Sequence, residues 1–472
     1  GGGEVQSSET EEAERRENEA AEETGEGQRE SGDSNAAEEA FEFKGRKLEM
    51  SEMCGALLWF QASEGSIWRR LADERGRVHI VRRVLEGCLL SYTVGSCWLY
   101  STVFASSLSL VVPVPIKGRP QGLAQCIMNC PVRRTADECI SPCIWTNSSS
   151  PSTSFCAAPD EVDKYCDASY QLFLVLFAVL MLGMACLDMK GLKNVQIGMG
   201  AFGLISLITM VITCIIAISQ DSGDMAPADR LPSTDLAGMG KLVTAAIFSQ
   251  ICHQGVPSIV ASMKHKRSAK FVFRCTLYYT FTLYVVLCLV TTYYFGDKTV
   301  PIITLNWEDY TGGAEAGVPI SWWASAIATS VLVFPVVSVS AAFPLNVIPL
   351  AETMQQLLPS SSAMHGSGSG KTLLRAGFSL LPIACASVVK DVGKILEFNG
   401  MFGFVIAFFI PCSLFLAGRS LALRRWGEKA VYNVHHSWPA SMLWCVYAVL
   451  FCSAIVAGYT LYQVVLDYAG LR

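Results

Sequence analysis

Nine apolar runs, separated by short polar segments, are the dominant pattern along this chain. They cover residues 88–113, 170–187, 195–218, 236–263, 271–295, 320–350, 373–389, 395–417 and 439–465. A helix needs about 20 apolar residues to cross the hydrocarbon core of a bilayer. The pattern therefore predicts an all-α polytopic membrane protein with about nine spans. The longest run, 320–350, contains prolines and no charge, so we expect it to tilt or kink.

One of these runs is interrupted by polar residues and then by helix breakers. Ser249, Gln250 and His253 occupy positions that would be apolar in an ordinary span, and Gly255 and Pro257 follow them. Proline lacks a backbone donor and clashes with the preceding turn, so the run predicts a broken helix. Polar side chains beside a broken membrane helix are typical of a solute site near the bilayer midplane. The alternative is a simple proline kink whose polar residues bond neighbouring helices.

Composition agrees with a membrane protein, since 51% of the residues are hydrophobic and 16% are charged. Residues 1–50 hold 16 of the 41 acidic residues but only 6 of the 36 basic ones, and they predict a disordered, acidic cytoplasmic tail. A solvated tail is favoured over one that binds an unknown cytoplasmic partner. Residues 51–87 are arginine-rich and predict a basic juxtamembrane segment. The remaining basic residues fall in short clusters, so no nucleic-acid partner is predicted.

Lysine and arginine lie in alternate loops, which predicts the orientation of the membrane domain, residues 88–466. With the arginine-rich segment in the cytoplasm, the basic loops also fall on the cytoplasmic side, at residues 190–193, 264–274, 371–375 and 419–429. The acidic loops 220–235 and 296–317 then fall outside. The exception is the short turn from Lys390 to Lys394, which is basic yet placed outside. The N-terminus is therefore predicted inside and the C-terminus outside.

The loop between the first two runs, residues 117–168, contains six cysteines and a glycosylation sequon at Asn147. The cysteines are Cys126, Cys130, Cys139, Cys143, Cys156 and Cys166. The loop has no histidine and no pair of cysteines separated by two residues, which weakens a zinc site. We therefore favour three disulfides in a lumenal or extracellular space, with the pairing left open.

Three short motifs imitate nucleotide or metal sites without the required context. Residues 198–203 match GxGxxG but lie inside an apolar span, where small residues favour close helix packing. Residues 366–372 resemble a phosphate loop, but His365 stands where the first glycine belongs, so we expect a flexible cytoplasmic linker. His435 and His436 have no further ligand nearby, so no metal is predicted. No catalytic triad, HExxH motif or carboxylate pair has catalytic spacing, and we expect neither enzyme activity nor a cofactor.

Four runs, in order, resemble pieces of the amino acid/auxin permease family, closest to its neutral amino acid transporter branch. They are FSQICHQGVP at 248–257, YYFGDK at 293–298 with the following residues 302–306, AFPLNVIPL at 342–350 and FNGMFG at 398–403. The first is similar to the family's broken sixth helix and the second to the end of its seventh. The third resembles the inner end of the eighth helix, and the fourth resembles the tenth. The similarity extends from about residue 170 to the C-terminus.

The resemblance implies a LeuT-like inverted-repeat transporter fold, with solute between the broken first and sixth helices. It implies secondary active transport of an amino acid by alternating access, as a symporter driven by a sodium or proton gradient. The implied substrate-binding residues are Phe248, Ser249, Gln250, His253 and Gly255, with Gly255 and Pro257 maintaining the break. Ser338 and Ser340 would contribute to an ion site, or would bond a neighbouring helix instead. His253 would bond across helices or sense pH.

Matched onto that family, residues 88–113 take the place of the third helix. The first two helices then have no counterpart in the given residues, and we expect a truncated start of the sequence. A non-transporting membrane sensor or scaffold of the same fold is the alternative. A major facilitator is disfavoured, because such a fold needs two similar halves and no half-repeat is visible. The expected location is the plasma membrane or an endolysosomal or vacuolar membrane.

Overall fold

In the computed structural model, the described part of the chain consists of helices and one pair of short strands. It comprises residues 79–112, 114, 144–146, 155–157, 160–186, 189–220, 239–252, 256, 260, 263, 268–296, 299, 302–308, 310–313, 320–357, 368–427 and 443–468. All of these residues belong to the unit from Glu49 to Arg472. The predicted acidic tail and residues 51–78 of the predicted basic juxtamembrane segment lie outside the described residues and stay predictions, whereas residues 79–87 of that segment form the start of helix His79–Val111.

Ten α-helices follow one another along the described residues, and most coincide with predicted apolar runs. They are α1 (His79–Val111), α2 (Asp160–Cys186), α3 (Met189–Gln220), α4 (Met239–Gln250), α5 (Ala269–Phe295), α6 (Trp322–Leu357), α7 (Gly368–Val388), α8 (Val392–Phe404), α9 (Ile410–Trp426) and α10 (Leu443–Tyr468). A 3-10 helix, Ile303–Trp307, precedes α6, and a π-helix, Val405–Phe409, joins α8 to α9.

Eight segments among the described residues are long and apolar enough to cross a membrane, with α8, the π-helix and α9 forming one of them. Large apolar side chains cover their outer surface, as shown by Trp322 at 83% exposure and Phe271 at 71%. Such a surface is stable in lipid rather than in water. The prediction of a polytopic helical membrane protein is therefore confirmed. The remaining predicted run, 236–263, differs because its helix α4 has 12 residues, too few to cross a bilayer.

Helix α1 lies at the centre of the described structure and packs against α2, α6, α7 and α8. Its interior positions are small and polar, including fully buried Ser101 and Thr102. Their hydroxyls donate to carbonyls one turn earlier, Ser101 to Cys97 at 2.8 Å and Thr102 to Trp98 at 3.1 Å. Small residues with internally satisfied hydroxyls let neighbouring membrane helices approach closely. This composition explains how α1 can be surrounded by four helices.

An aromatic core joins α1 to α2 and α6. The ring of Phe177 lies 4.6 Å from that of Phe104 and 5.1 Å from that of Phe343, measured between centroids. Phe177 and Phe343 are completely buried. The ring pairs are tilted and edge-to-face, arrangements that aromatic side chains prefer. This core fixes α2 and α6 against α1.

The 3-10 helix is fastened to the membrane domain through Trp307, which is 1% exposed. Its indole Nε1 donates to the Thr213 hydroxyl on α3 at 3.0 Å. Its ring packs edge-on against Phe295 at 5.4 Å between centroids. A buried indole N–H normally finds such a partner. The connection between α5 and α6 is thereby held against α3.

Two sequence expectations need correction or refinement. The predicted flexible linker at 366–372 is wrong from residue 368 onward, because α7 begins at Gly368. The Thr372 hydroxyl donates to the Gly368 carbonyl at 3.2 Å, and packing of the helix outweighs the glycines' conformational freedom. The run 320–350 forms one continuous helix, α6, even though Pro335, Pro344 and Pro349 lie inside it.

The predicted cysteine loop is only partly described. Strands β1 (Ile144–Thr146) and β2 (Phe155–Ala157) pair antiparallel, with Trp145 opposite Cys156. Cys166, in the first turns of α2, is 1% exposed and is disulfide-bonded. The other four predicted cysteines and Asn147 lie outside the described residues, so the three-disulfide framework and the glycosylation stay predictions.

Candidate functional site

The polar run that interrupts the predicted span 236–263 coincides with the end of α4. That helix ends at Gln250, and Ile251 and Cys252 are not helical. Val256 and Val260 are helical again. The side chains of Phe248, Ser249 and Gln250 therefore occupy the last turn of a short helix, as a broken helix requires. His253, Gly255 and Pro257 lie outside the described residues, and their roles stay predictions.

Phe248 lies between two tyrosines of α1. Its ring centroid is 6.1 Å from that of Tyr92 and 6.4 Å from that of Tyr100. Tyr92 is 4% exposed, whereas Phe248 and Tyr100 are half-buried. The Asn346 side chain on α6 lies near the Tyr100 hydroxyl, and its Nδ2 donates to the Ala342 carbonyl at 3.0 Å. The end of α4 thus meets a surface that has aromatic faces and a fixed polar edge, which suits a solute with apolar and polar parts.

Gln250 connects α4 to α5. Its Oε1 accepts a hydrogen bond from the Thr280 hydroxyl at 3.2 Å, and its side chain is half-buried. An amide held through its oxygen retains its two N–H donors for another partner. Ser249 differs, because it is exposed and its hydroxyl donates to the Ala246 carbonyl at 2.8 Å. Of these two polar residues predicted to bind substrate, Gln250 is better placed than Ser249 to present donors to a solute.

The two predicted ion-binding serines lie on different faces of α6. Residues two positions apart on a helix are separated by about 200°. Ser340 is 8% exposed and its hydroxyl donates to the Val336 carbonyl at 2.7 Å. Ser338 is half-buried. One ion therefore cannot lie on a single face of α6 and meet both side chains, and their role as ion ligands stays a prediction.

Helix α8 supports both α1 and α4 at this point. Asn399 is fully buried against α1, and with its amide oriented to suit its neighbours, the nitrogen donates to the Tyr92 carbonyl at 2.8 Å. The amide oxygen then accepts from the Ser96 hydroxyl at 2.9 Å. Gly400 faces α4, where a Cβ atom added to it would lie 2.9 Å from the Cβ of Thr244. The contact allows no side chain at position 400 without a shift of one helix.

Sequence reasoning missed Tyr92, Tyr100 and Asn399. The sequence shows these three only as polar or aromatic residues inside apolar runs. Such residues more often serve helix packing than a binding site. Ser96 and Asn399 are 303 residues apart in the chain, so no local pattern connects them. Among the described residues, no group of three or more histidine, cysteine or acidic side chains could hold a metal ion.

The basic turn from Lys390 to Lys394, which departs from the predicted charge pattern, has local partners. Lys390 forms an ion pair with Asp167 on α2 and lies over the Tyr170 ring, 5.2 Å from its centroid. Asp391 caps α8, accepting hydrogen bonds from the backbone of Gly393 at 2.9 Å and Lys394 at 3.2 Å. A side chain that accepts from the first turn satisfies donors that the helix itself leaves open. The turn therefore fixes the start of α8 next to α2.

Three side chains from α1 and α2 bind the carbonyls at the end of α7. Trp98 Nε1 donates to Val389, Tyr170 to Ala386 and Gln171 to Ser387, over 3.1, 2.8 and 3.1 Å. The last carbonyls of a helix have no partner within it, so each donor satisfies an open acceptor. Together with the Lys390–Asp167 pair, these bonds join α7 firmly to α1 and α2.

Comparison with known proteins agrees with the resemblance. The family model described as "Transmembrane amino acid transporter protein" matches residues 152–466. "Transmembrane protein 104" of Mus musculus is 22% identical over 297 residues, which cover 61% of this chain and 57% of that protein. The Homo sapiens protein of that name is 21% identical over 250 residues, covering 52% and 47%.

The "Transmembrane protein 104 homolog" of Drosophila melanogaster is 22% identical over 287 residues, covering 59% of this chain and 53% of that protein. The chain thus spans about half the length of the curated relatives it matches. The family match alone covers more than half of the chain and includes every helix from α2 to α9. The chain therefore belongs to the transmembrane amino acid transporter family.

Proposed function

We propose that this protein moves an amino acid across a membrane by alternating access, driven by a sodium or proton gradient. The observation that carries the proposal is the end of α4 at Gln250, where Phe248 lies between Tyr92 and Tyr100. A helix end inside a membrane domain offers backbone groups to a solute, and the aromatic faces offer apolar contact. Membership of a transporter family supports this reading of the site.

The substrate in this proposal is an amino acid held by both parts of the site. Its apolar side chain would contact the rings of Phe248, Tyr92 and Tyr100, and its polar groups would bind Gln250 and the backbone after residue 250. His253 and Gly255 complete the proposed site, with Gly255 and Pro257 maintaining the break. Ser338 and Ser340 lie on different faces of α6. A coupling ion bound at one face of α6 would therefore contact the hydroxyl of only one of them.

A LeuT-like architecture and an externally placed cysteine loop belong to the same proposal. The loop's disulfides and the sequon at Asn147 require a lumenal or extracellular space. With that loop outside, the charge pattern puts the N-terminus in the cytoplasm. The membrane is either the plasma membrane or an endolysosomal or vacuolar membrane.

The test is uptake of labelled neutral and cationic amino acids into liposomes that contain the purified full chain. Imposed sodium and proton gradients are compared with no gradient, and empty liposomes serve as the control. The proposal expects saturable uptake that at least one gradient accelerates. In the same assay, His253→Ala should show less uptake than the wild type, because His253 is assigned to the proposed site. Absence of uptake of every amino acid under both gradients would contradict transport and favour a non-transporting sensor of the same family.

A further inference from the structure

Helix α8 packs against α1 and α4 through successive residues, Asn399 and Gly400. Gly403, one turn later, continues the contact with α4, since an added Cβ would lie 3.1 Å from Ile251 and 3.4 Å from Ile247. Gly400 and Gly403 thus allow α4 to lie directly against α8. The contact involves Thr244 and Ile247 of α4 and Ile251, which directly follows that helix.

Asn399 makes the matching contact with α1. Its side chain is fully buried and bonds both the Tyr92 carbonyl and the Ser96 hydroxyl. Gly95 leaves the room for this amide, because a Cβ at that position would lie 2.7 Å from it. A buried amide whose donor and acceptor are both used is expensive to displace. The turn of α1 that carries Tyr92 is therefore tied to α8.

Each of these contacts lies at or within one turn of a ring of the candidate site. Asn399 bonds Tyr92 itself, and Thr244, which faces Gly400, precedes Phe248 by one helical turn. The ring of Tyr92 also belongs to a cluster with Ile406 of the π-helix, against which Phe248 packs. A single rigid segment of α8 thus holds the supports of both the Tyr92 and the Phe248 rings.

We propose that Asn399 is a positioning residue which, together with Gly400, sets the separation of the Tyr92 and Phe248 rings and so selects neutral amino acids by side-chain size. The inference rests on the proposed function, because it assumes that these rings contact the transported amino acid. Asn399 bonds the Tyr92 backbone carbonyl and the Ser96 hydroxyl, so its effect on the rings passes through the helices. Because the two rings pack against each other, 6.1 Å apart between centroids, a change at position 399 moves the apolar surface that they present, and with it the width of the site beside that surface, without altering its chemistry.

A purely structural role for Asn399 makes a different prediction. Loss of packing alone would lower the amount of folded protein and the maximal rate for every substrate equally. A change in site width would alter the KM for large and small substrates in different proportions. The ratio of kcat/KM values between substrates is therefore the quantity to measure, because it does not depend on the amount of active protein.

The experiment measures uptake of glycine, alanine, leucine and phenylalanine by wild type, Asn399→Ala, Ser96→Ala and Gly400→Ala. The proposal expects each variant to change the phenylalanine-to-alanine ratio of kcat/KM by about tenfold or more. Gly418→Ala, on α9, is the matched control, because a Cβ there meets no atom within 4 Å. It should keep the wild-type ratio within about twofold.

Second-site variants keep the test decisive if a variant fails to fold. Thr244→Gly removes every side-chain atom that collides with a Cβ at position 400 and should restore folding of Gly400→Ala. If Asn399→Ala yields no folded protein, Ser96→Ala removes the same hydrogen bond between α1 and α8 from the α1 side. Uptake by folded variants with an unchanged substrate ratio would overturn this inference and leave the proposed function intact. Absence of any uptake by the wild type would overturn the proposed function, and the inference with it.

Discussion

At the scale of single residues, Phe248 and Gln250 show how one helix end supplies two kinds of contact. Phe248 is set between Tyr92 and Tyr100, and Gln250 is fixed through its oxygen to Thr280 while its N–H groups remain available. Gln250 was predicted from its place before the helix breakers, and Phe248 from the resemblance to the family's broken sixth helix. Their aromatic neighbours were not, because those contacts join α4 to a helix about 150 residues earlier in the chain.

Gln250→Ala should raise the KM for amino acid uptake by about tenfold, since a hydrogen bond in a buried site contributes roughly 1 to 1.5 kcal/mol. The maximal rate should change less, because the amide is assigned to substrate binding. Initial uptake rates over a range of substrate concentrations measure both quantities. Ser219→Ala is the control: that hydroxyl is exposed and donates to the Ile216 carbonyl of its own helix. Equal KM values in the two variants would remove Gln250 from the site.

At the scale of helices, hydrophobic periodicity and length were sufficient to locate eight spans, because burial in lipid requires long apolar runs. The interruption of the span 236–263 was also visible, since it depends on local residues. The glycine-rich segment at the start of α7 was predicted incorrectly as a linker. Local glycine content argued for flexibility, whereas the helix beginning at Gly368 is stabilised by contacts with α1, α2 and α6.

The cap that Asp391 provides at the start of α8 should stabilise the folded protein. Asp391→Ala removes the acceptor for the Gly393 and Lys394 backbone donors, and we expect a loss of about 1 kcal/mol in unfolding free energy. Unfolding in a mild detergent, followed by circular dichroism, measures this change. Asp391→Asn keeps a side-chain acceptor and should therefore retain most of the unfolding free energy that Asp391→Ala loses.

Lys394→Ala is the matched control for this helix start, because the Lys394 side chain is 61% exposed. It contacts Asp391 at 3.8 Å, and exposed pairs of this kind contribute little. A destabilisation by Lys394→Ala as large as that by Asp391→Ala would show that charge, not capping, holds the start of α8.

At the scale of the whole molecule, α1 makes two contacts of different character. With α2 and α6, the rings of Phe104, Phe177 and Phe343 form a tightly packed aromatic core. With α8, α1 makes its contact through Gly95 and the buried Asn399 amide, and with α4 it does so through the Phe248 ring. The apolar core was foreseeable in composition, but the pairing of helices was not, because lipid-facing and buried positions are equally apolar in a membrane protein.

Phe343→Ala should destabilise the folded protein by about 3 kcal/mol, through the cavity left between α1, α2 and α6. This is the low end of the range for soluble proteins, because lipid is as apolar as the core. Thermal unfolding of the purified protein gives the difference. Trp322→Ala, at a position 83% exposed, should change stability by less than about 0.5 kcal/mol. Similar losses for both variants would argue against a packed core at Phe343.

Equilibrium binding of labelled amino acids to the purified protein tests whether the end of α4 forms a substrate site. We expect saturable binding by the wild type and a Kd at least about tenfold higher in Phe248→Ala, because that ring forms the α4 side of the site. Phe451→Ala, at a position 68% exposed on α10, should leave the Kd unchanged. Saturable binding with the same Kd in wild type and Phe248→Ala would contradict a site at the end of α4.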